Sequence, residues 1–274
     1  MNLNKMLKIV PINSLSLYEA YDPVRTKKLV KKIHKDKIFY NPIMAVRISN
    51  NNSKRLIIDG VNRYKALTKL GAKNVLIQEF DYSNDKLVNL KSNEHYLFEY
   101  SEDDFYNNLA EYKINLLTTK KNKVELNKDL KDGIEIASIQ IGGKKFTLQT
   151  HKSIIETTKI LNKFVDSYLG KIRIYRKSEY FDPSLMFKIK IKFREYKKDE
   201  IVFLSRKKIY LNSGITRHCI YNSIIHFKIP LKVLMENNSQ KENDRYMKNM
   251  IENKLINNCV RTYFDGVTIC DEWE

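Results

Sequence analysis

The stretch Ile57-Ile58-Asp59-Gly60-Val61-Asn62-Arg63-Tyr64-Lys65-Ala66-Leu67 constrains the fold of this chain more than any other. Its apolar run reads as a strand that Asp59-Gly60 breaks. Arg63, Ala66, Leu67 and Leu70 then recur on one side of a short helix that stops at Gly71, where a left-handed cap fits. A strand that passes through one glycine turn into a helix sets the first helical N–H groups beside the strand end. The positive end of the helix lies behind them, which makes a ready anion site, and Arg63 adds a forked donor suited to phosphate oxygens. Spacing alone also fits a plain turn followed by a solvated arginine.

The flanking segments complete one unit. Residues 7–12 read as a strand and 13–23 as a polar loop containing Tyr18, Glu19 and Asp22. Residues 24–35 form a helix with Leu29, Val30 and Ile33 on one face and lysines on the other. Pro42 prevents that helix from continuing, and 43–48 with 55–58 make a hairpin that turns through Asn50, Asn51, Asn52 and Ser53. A strand at 75–80 closes the unit near residue 82. The remainder, 83–274, is a mixture. Helices are expected at 104–115 and 152–169 and strands at 134–141 and 145–148 around Gly142-Gly143. Further strands are expected at 171–175, 186–193, 201–204 and 209–211, then a glycine-containing turn at 213–218. A last helix capped by Ser239 and a strand at 260–269 complete the reading, and the class is α+β.

Charge narrows the partners. Fifty basic residues against 32 acidic ones give +18, of which residues 1–82, with 16 basic and 6 acidic side chains, carry +10. That density favours phosphate-bearing partners, although a chain this rich in lysine, asparagine and isoleucine can owe part of its charge to AT-rich coding. Cys219, Cys259 and Cys270 show no CxxC spacing, so neither a disulfide scaffold nor a structural zinc site is expected. With no apolar run near the roughly 20 residues of a membrane span, a cytoplasmic protein without a membrane partner is expected. Among the histidines, His34 and His151 read as solvated, His95 as a surface residue in preference to a pocket histidine, and His226 as packed beside an apolar segment. Tyr96, Phe98, Tyr100, Phe105 and Tyr106 read as a satellite core rather than a stacking platform for a base, and Trp273 says little.

Over residues 7–82, the order of a strand ending in Pro-Ile, then D-P-V-R, N-P-I, I-D-G-V-N-R-Y-K-A-L and L-G-A-K-N-V, resembles the ParB/sulfiredoxin-like fold. Three blocks make the chain most similar to the free L-serine kinases of that superfamily. They are L-K-I-V-P-I with Y-E-A-Y-D-P-V-R (7–25), I-D-G-V-N-R-Y (58–64), and S-G-I-T-R-H (213–218) with I-P-L-K-V-L (229–234). The resemblance implies a nucleotide-binding domain at 1–82 and a mixed α/β domain at 83–274 that contributes to the substrate site, the two enclosing a cleft. It implies transfer of a phosphoryl group from ATP or ADP to L-serine, with Mg²⁺, to give O-phospho-L-serine for cysteine or siderophore (2,3-diaminopropionate) synthesis. It further implies Glu19 as catalytic base and Asp59 as an assisting group or Mg²⁺ ligand. Gly60, Val61, Asn62 and Arg63 would hold the donor phosphates, and Thr216, Arg217 and His218 would recognise the amino acid or its product.

Departures from related families matter as much. Sulfiredoxins need a cysteine in a turn that here holds Val61 and Asn62, and the chromosome-partitioning proteins carry a G-E-R-R turn followed by a DNA-reading helix-turn-helix that is not evident here. The serine kinases usually have histidine where Asn62 stands, which keeps a donor and loses a possible charge. The rival expectation is a ParB-like DNA-binding regulator, and another is a family member that binds nucleotide without turnover; the oligomeric state is open.

Overall fold

The computed structural model describes residues 3–48, 54–98, 100–112, 117–118, 134–150, 152–172, 174–175 and 187–261. The first part runs α1 (Leu3–Met6), β1 (Leu7–Pro11), β2 (Leu15–Ser16), α2 (Pro23–Asp36), β3 (Ile38–Phe39), β4 (Ile43–Arg47), β5 (Arg55–Asp59), α3 (Val61–Lys69) and β6 (Asn74–Phe80). There follow β7 (Val88–Ser92), β8 (Glu94–Leu97), α4 (Glu102–Glu111), β9 (Leu117–Thr118), β10 (Ile134–Ile141), β11 (Lys144–Thr150), α5 (Ile154–Asp166), β12 (Ile174–Tyr175) and β13 (Ile189–Phe193). The chain ends through α6 (Lys198–Arg206), β14 (Thr216–Ile220), β15 (Ile229–Pro230), α7 (Leu231–Met235) and α8 (Gln240–Ile256). The class is α+β, as expected.

Two sheets organise these elements. The first has the order β1-β6-β4-β5-β2, with β1–β6 and β4–β5 antiparallel and β4–β6 and β2–β5 parallel. All seven residues of β6 are buried, as a strand covered on both faces requires. The second sheet, β12-β8-β13-β10-β11-β9, is antiparallel throughout. Tyr100 and Phe105 are buried in the core beneath it and Tyr96 is buried too, whereas Phe98 is half-buried and Tyr106 exposed, so the reading of these five aromatics as core holds only in part.

Hydrophobic packing does not follow the chain in two consecutive pieces. Ile9, Ile43, Ile57 and Ile77 of the first sheet share a core with Phe227, Ile229, Leu234, Met247 and Ile251. β15 pairs with β3, and Asn74 Nδ2 donates to Glu236 O at 2.8 Å. The other face of the first sheet, through Met44, Val46, Leu56 and Ile58, joins the core built around α5 and the second sheet. The stretch after residue 82 therefore supplies its last helices to the first core, and a boundary at 82 alone cuts through that packing.

Several local expectations need correction. Residues 201–204 lie in α6, not in a strand: Ile201, Leu204 and Ser205 are the buried positions, at helical spacing, and the Glu200 carboxylate accepts from Lys197 N at 2.8 Å at the helix start. A short apolar run cannot separate the two periods by itself. Of 209–211, only Leu211 pairs, in a single parallel bridge with Glu19. The expected turn at 213–218 is a turn only at its start, because Thr216 already belongs to β14. β7 and β8 had no counterpart in the sequence reading. The turn at 50–53, the strand beyond 261, His151 and Trp273 lie outside the described residues. No helix among the described residues is long and apolar enough to cross a membrane.

Candidate active site

At the junction of the two cores lies a cleft of about 720 Å³. Glu19, Asp59, Gly60, Val61, Asn62, Arg63, Thr216, Arg217 and His218 all line it, although the sequence scatters them over three blocks. Strand pairing brings them together. Ala20 N donates to Leu211 O at 2.7 Å and Leu211 N to Tyr18 O at 2.8 Å, which ties the Glu19 loop to the segment before β14. β14 pairs antiparallel with β7, with Thr216 opposite Ser92 and Arg217 opposite Lys91. The Gly214 N–H then donates to Glu19 Oε1 at 2.9 Å, closing contact between residues 195 apart in sequence.

The α3 end of the cleft is built as the sequence suggests. β5 stops at Asp59, and Gly60 turns the chain at φ +95°, where a side chain is disfavoured. No side chain caps α3, so its first N–H groups open onto the cleft. Gly71, at φ +81°, follows the C-terminal residue Leu70 as expected. Arg63 is not the solvated residue that spacing alone allows. It is 9% exposed, and its Nη2 donates to Asp59 Oδ2 at 2.8 Å and to Pro42 O at 3.3 Å. Its buried Nε–H has no partner among the described residues and lies over Gly60. Asn62 uses its Oδ1 to accept from Asp22 N at 2.8 Å and Thr26 Oγ1 at 3.1 Å. That carbonyl joins α3 to the start of α2, where Asp22 Oδ1 itself caps Val24 and Arg25 N–H at 2.8 and 3.0 Å.

The opposite wall holds His218 between two tyrosines, with Tyr18 Oη 3.0 Å from Nδ1 and Tyr82 Oη 2.9 Å from Nε2. Burial is the main reason its imidazole is pushed down to about pH 3; nearby Lys198 acts in the same direction, and Asp59 opposes them. His218 thus lines the cleft with both ring nitrogens engaged by tyrosine hydroxyls. Tyr18 is pushed well above the usual phenol range, first by burial and then by Glu19, and burial likewise raises Tyr82. Both hydroxyls therefore stay protonated.

Thr216 is buried on β14 and Arg217 is exposed, consistent with alternation along the strand. Together with Arg25, Arg63 and Lys91, Arg217 makes the lining more basic than acidic, with Glu19 and Asp59 as its carboxylates. Arg25 was visible in the D-P-V-R block. Tyr18 opens the Y-E-A-Y block, whereas Lys91 and Asn93 carried no signal, because their place depends on pairing with distant segments. His95 is the larger correction. It is completely buried, with Nδ1 3.0 Å from Tyr168 Oη and Nε2 3.0 Å from Gly214 O. His226 is exposed rather than packed, and His34 is exposed as expected.

No protein-family model matches the chain. It is 21% identical over 272 residues to the ATP-dependent L-serine kinase SbnI of Staphylococcus aureus, spanning 99% of both proteins. The solved structure of SbnI with a C-terminal truncation superposes with a TM-score of 0.75 at 21% identity, covering 93% of this chain and 99% of that one. A mutant free serine kinase in complex with ADP gives 0.68 at 17% identity, over 84% of this chain and 94% of the other. The similarity to free L-serine kinases that three sequence blocks carry thus extends to whole-chain comparison and to the fold.

Proposed function

We propose that the chain is a nucleotide-dependent free L-serine kinase that produces O-phospho-L-serine. The observation that carries this reading is the Gly214 N–H bond to Glu19, because it unites a carboxylate, an uncapped helix start and the 213–218 block in one cleft. On this reading the terminal phosphoryl group of ATP or ADP lies against the N–H groups of Gly60, Val61 and Asn62, with positive charge from the helix end and nearby arginines. The serine hydroxyl attacks in line. Its oxygen forms the new P–O bond, the bridging P–O bond breaks with its electrons leaving on ADP (or AMP), and Glu19 accepts the hydroxyl proton. Thr216 and Arg217 hold the amino-acid side, Arg217 through a carboxylate or product phosphate.

Arg63 acts first on Asp59 in this arrangement, fixing the carboxylate at the strand end while its Nε–H, without a partner among the described residues, faces the turn. Among the described residues, no group of three or more His, Cys, Asp or Glu side chains could cage a metal. Mg²⁺ seldom needs such a cage, since it keeps waters and binds through one or two carboxylates plus substrate phosphates, and the exposed Asp59 carboxylate fits that use. Mg²⁺ held there would neutralise charge on the transferring phosphoryl oxygens.

We assign the donor side to residues 1–82, a ParB/sulfiredoxin-like unit completed by the helices near the C-terminus, and the acceptor side to the rest. The strand, glycine turn and helix at 55–69 support that assignment. The product would feed cysteine or 2,3-diaminopropionate synthesis. Incubation with L-serine, Mg²⁺ and ATP or ADP, followed by amino-acid analysis, should yield O-phosphoserine. A folded protein that yields none with either nucleotide overturns the proposal.

A further inference from the structure

Proton-donor logic along one buried chain of contacts identifies a group that the phosphoryl-transfer scheme does not use. Gly214 O can only accept, so His95 Nε2 carries the proton in the 3.0 Å contact between them. Nδ1 lies 3.0 Å from the Tyr168 hydroxyl, which holds the other edge of the ring. The ring is sandwiched edge-on by Tyr168 and Phe193, with centroids 5.9 and 4.9 Å away, and no part of it reaches solvent. The result is a connected series: the Tyr168 hydroxyl to His95, His95 N–H to the Gly214 carbonyl, and the Gly214 N–H to Glu19 Oε1.

We propose that His95 is a positioning residue for Glu19, acting through Gly214: by holding the carbonyl of this glycine it fixes the turn whose N–H orients the carboxylate. Gly214 itself sits at φ +93°, in a turn that local sequence does little to restrain. β8, which carries His95, is held on one side by β13 and on the other by β12, so the group that anchors the Gly214 carbonyl is itself built into a sheet. A catalytic carboxylate needs such support, because misplacement by about 1 Å can cost on the order of 10²-fold in rate. This inference rests on the reading of Glu19 as base.

Two near-isosteric variants separate positioning from packing. His95→Gln keeps a donor near the position of Nε2, whereas His95→Asn keeps polarity near Nδ1 and loses the reach to Gly214. His95→Asn should lower kcat by about 10- to 100-fold while leaving the nucleotide Kd within about threefold. It should also speed hydrogen exchange of the Gly214 amide, read by NMR; His95→Gln should stay near wild type in both. If His95→Asn folds poorly, Tyr168→Phe tests the same series from its other end, and should lower kcat without changing nucleotide Kd. Equal loss in the Asn and Gln variants, or an unchanged Gly214 amide in His95→Asn, overturns the proposal. An unchanged kcat in His95→Asn or, where that variant fails, in Tyr168→Phe does the same. Failure of the Glu19 reading is distinguishable, because Glu19→Gln would then retain turnover whatever the amide shows.

Discussion

Replacing Gly60 by alanine perturbs the cleft at the point where backbone and charge meet. At φ +95° an L residue is disfavoured by about 1–2 kcal/mol. The added Cβ would also lie 2.8 Å from Arg63 Nη2, closer than carbon and nitrogen approach, and a tight 3.1 Å from Nε. Arg63 cannot swing aside freely, being 9% exposed and bonded to Asp59 and Pro42 O. Weakening a charged hydrogen bond with one exposed partner adds roughly 1 kcal/mol. The sum is about 2–3 kcal/mol, which at about 2–4 °C per kcal/mol predicts a fall in Tm of roughly 5–10 °C. Calorimetric melting of Gly60→Ala, Arg63→Ala and the double variant separates the two contributions. The alanine penalty should shrink in the Arg63→Ala background, since the steric part vanishes and only the backbone part stays. Nucleotide affinity should fall with Gly60→Ala in the same preparation. A Tm within about 1 °C of wild type, or a penalty that is the same with and without Arg63, refutes the account of this turn.

Glu19→Gln should lower kcat by about 10² to 10⁴ with nucleotide Kd nearly unchanged in calorimetry. Alanine at Thr216 and Arg217 should raise KM for L-serine far more than KM for nucleotide in steady-state assays. Stability should decline with acid in two windows. His218 is depressed to about 3 in the fold, so the unfolded chain binds the extra proton and stability falls as pH drops below about 6.5; His218→Gln should flatten that slope in urea titrations. Burial raises Glu79, but hydrogen bonds from Arg47, Lys8 and Arg55 outweigh it and hold the carboxyl at about 2, so its contribution, on the order of 3 kcal/mol, is present above about pH 4.5 and lost toward pH 2. Glu79→Gln should remove that lower-pH dependence.

Local chemistry explains what the sequence revealed. The run from Ile57 to Gly71 could be read because each step is decided by neighbours: a buried strand, a glycine at positive φ, a helix, a second glycine beyond its end. Ser239 announced its helix in the same way, by accepting from the N–H three residues on, while Asp22, read as part of a loop, caps α2 likewise. The site itself was only half legible. Nothing near Ser213 says that β14 will pair with β7, more than a hundred residues earlier, and only family resemblance brought that block to notice. His95 was misread because β8 buries all of His95, Tyr96 and Leu97, so the alternation that marks a solvent face is absent. His218 came from the resemblance, and nothing local tells that both its nitrogens engage Tyr18 and Tyr82, partners 200 and 136 residues away. Residues 201–204 failed for a different reason, since four apolar-rich positions fit either period and the deciding Glu200 contact lies at the helix start.

The central claim is that one cleft brings a donor phosphate on the α3 turn within reach of serine beside Glu19. A ³¹P NMR time course of the protein with L-serine, Mg²⁺ and ATP or ADP, run beside Glu19→Gln, tests it most directly. The account predicts a growing phosphomonoester resonance that co-migrates with added O-phosphoserine, matched by loss of the nucleotide's terminal phosphate and nearly absent in the variant. Nucleotide resonances that stay constant with either donor, in wild-type protein shown to be folded and to bind nucleotide, would contradict it.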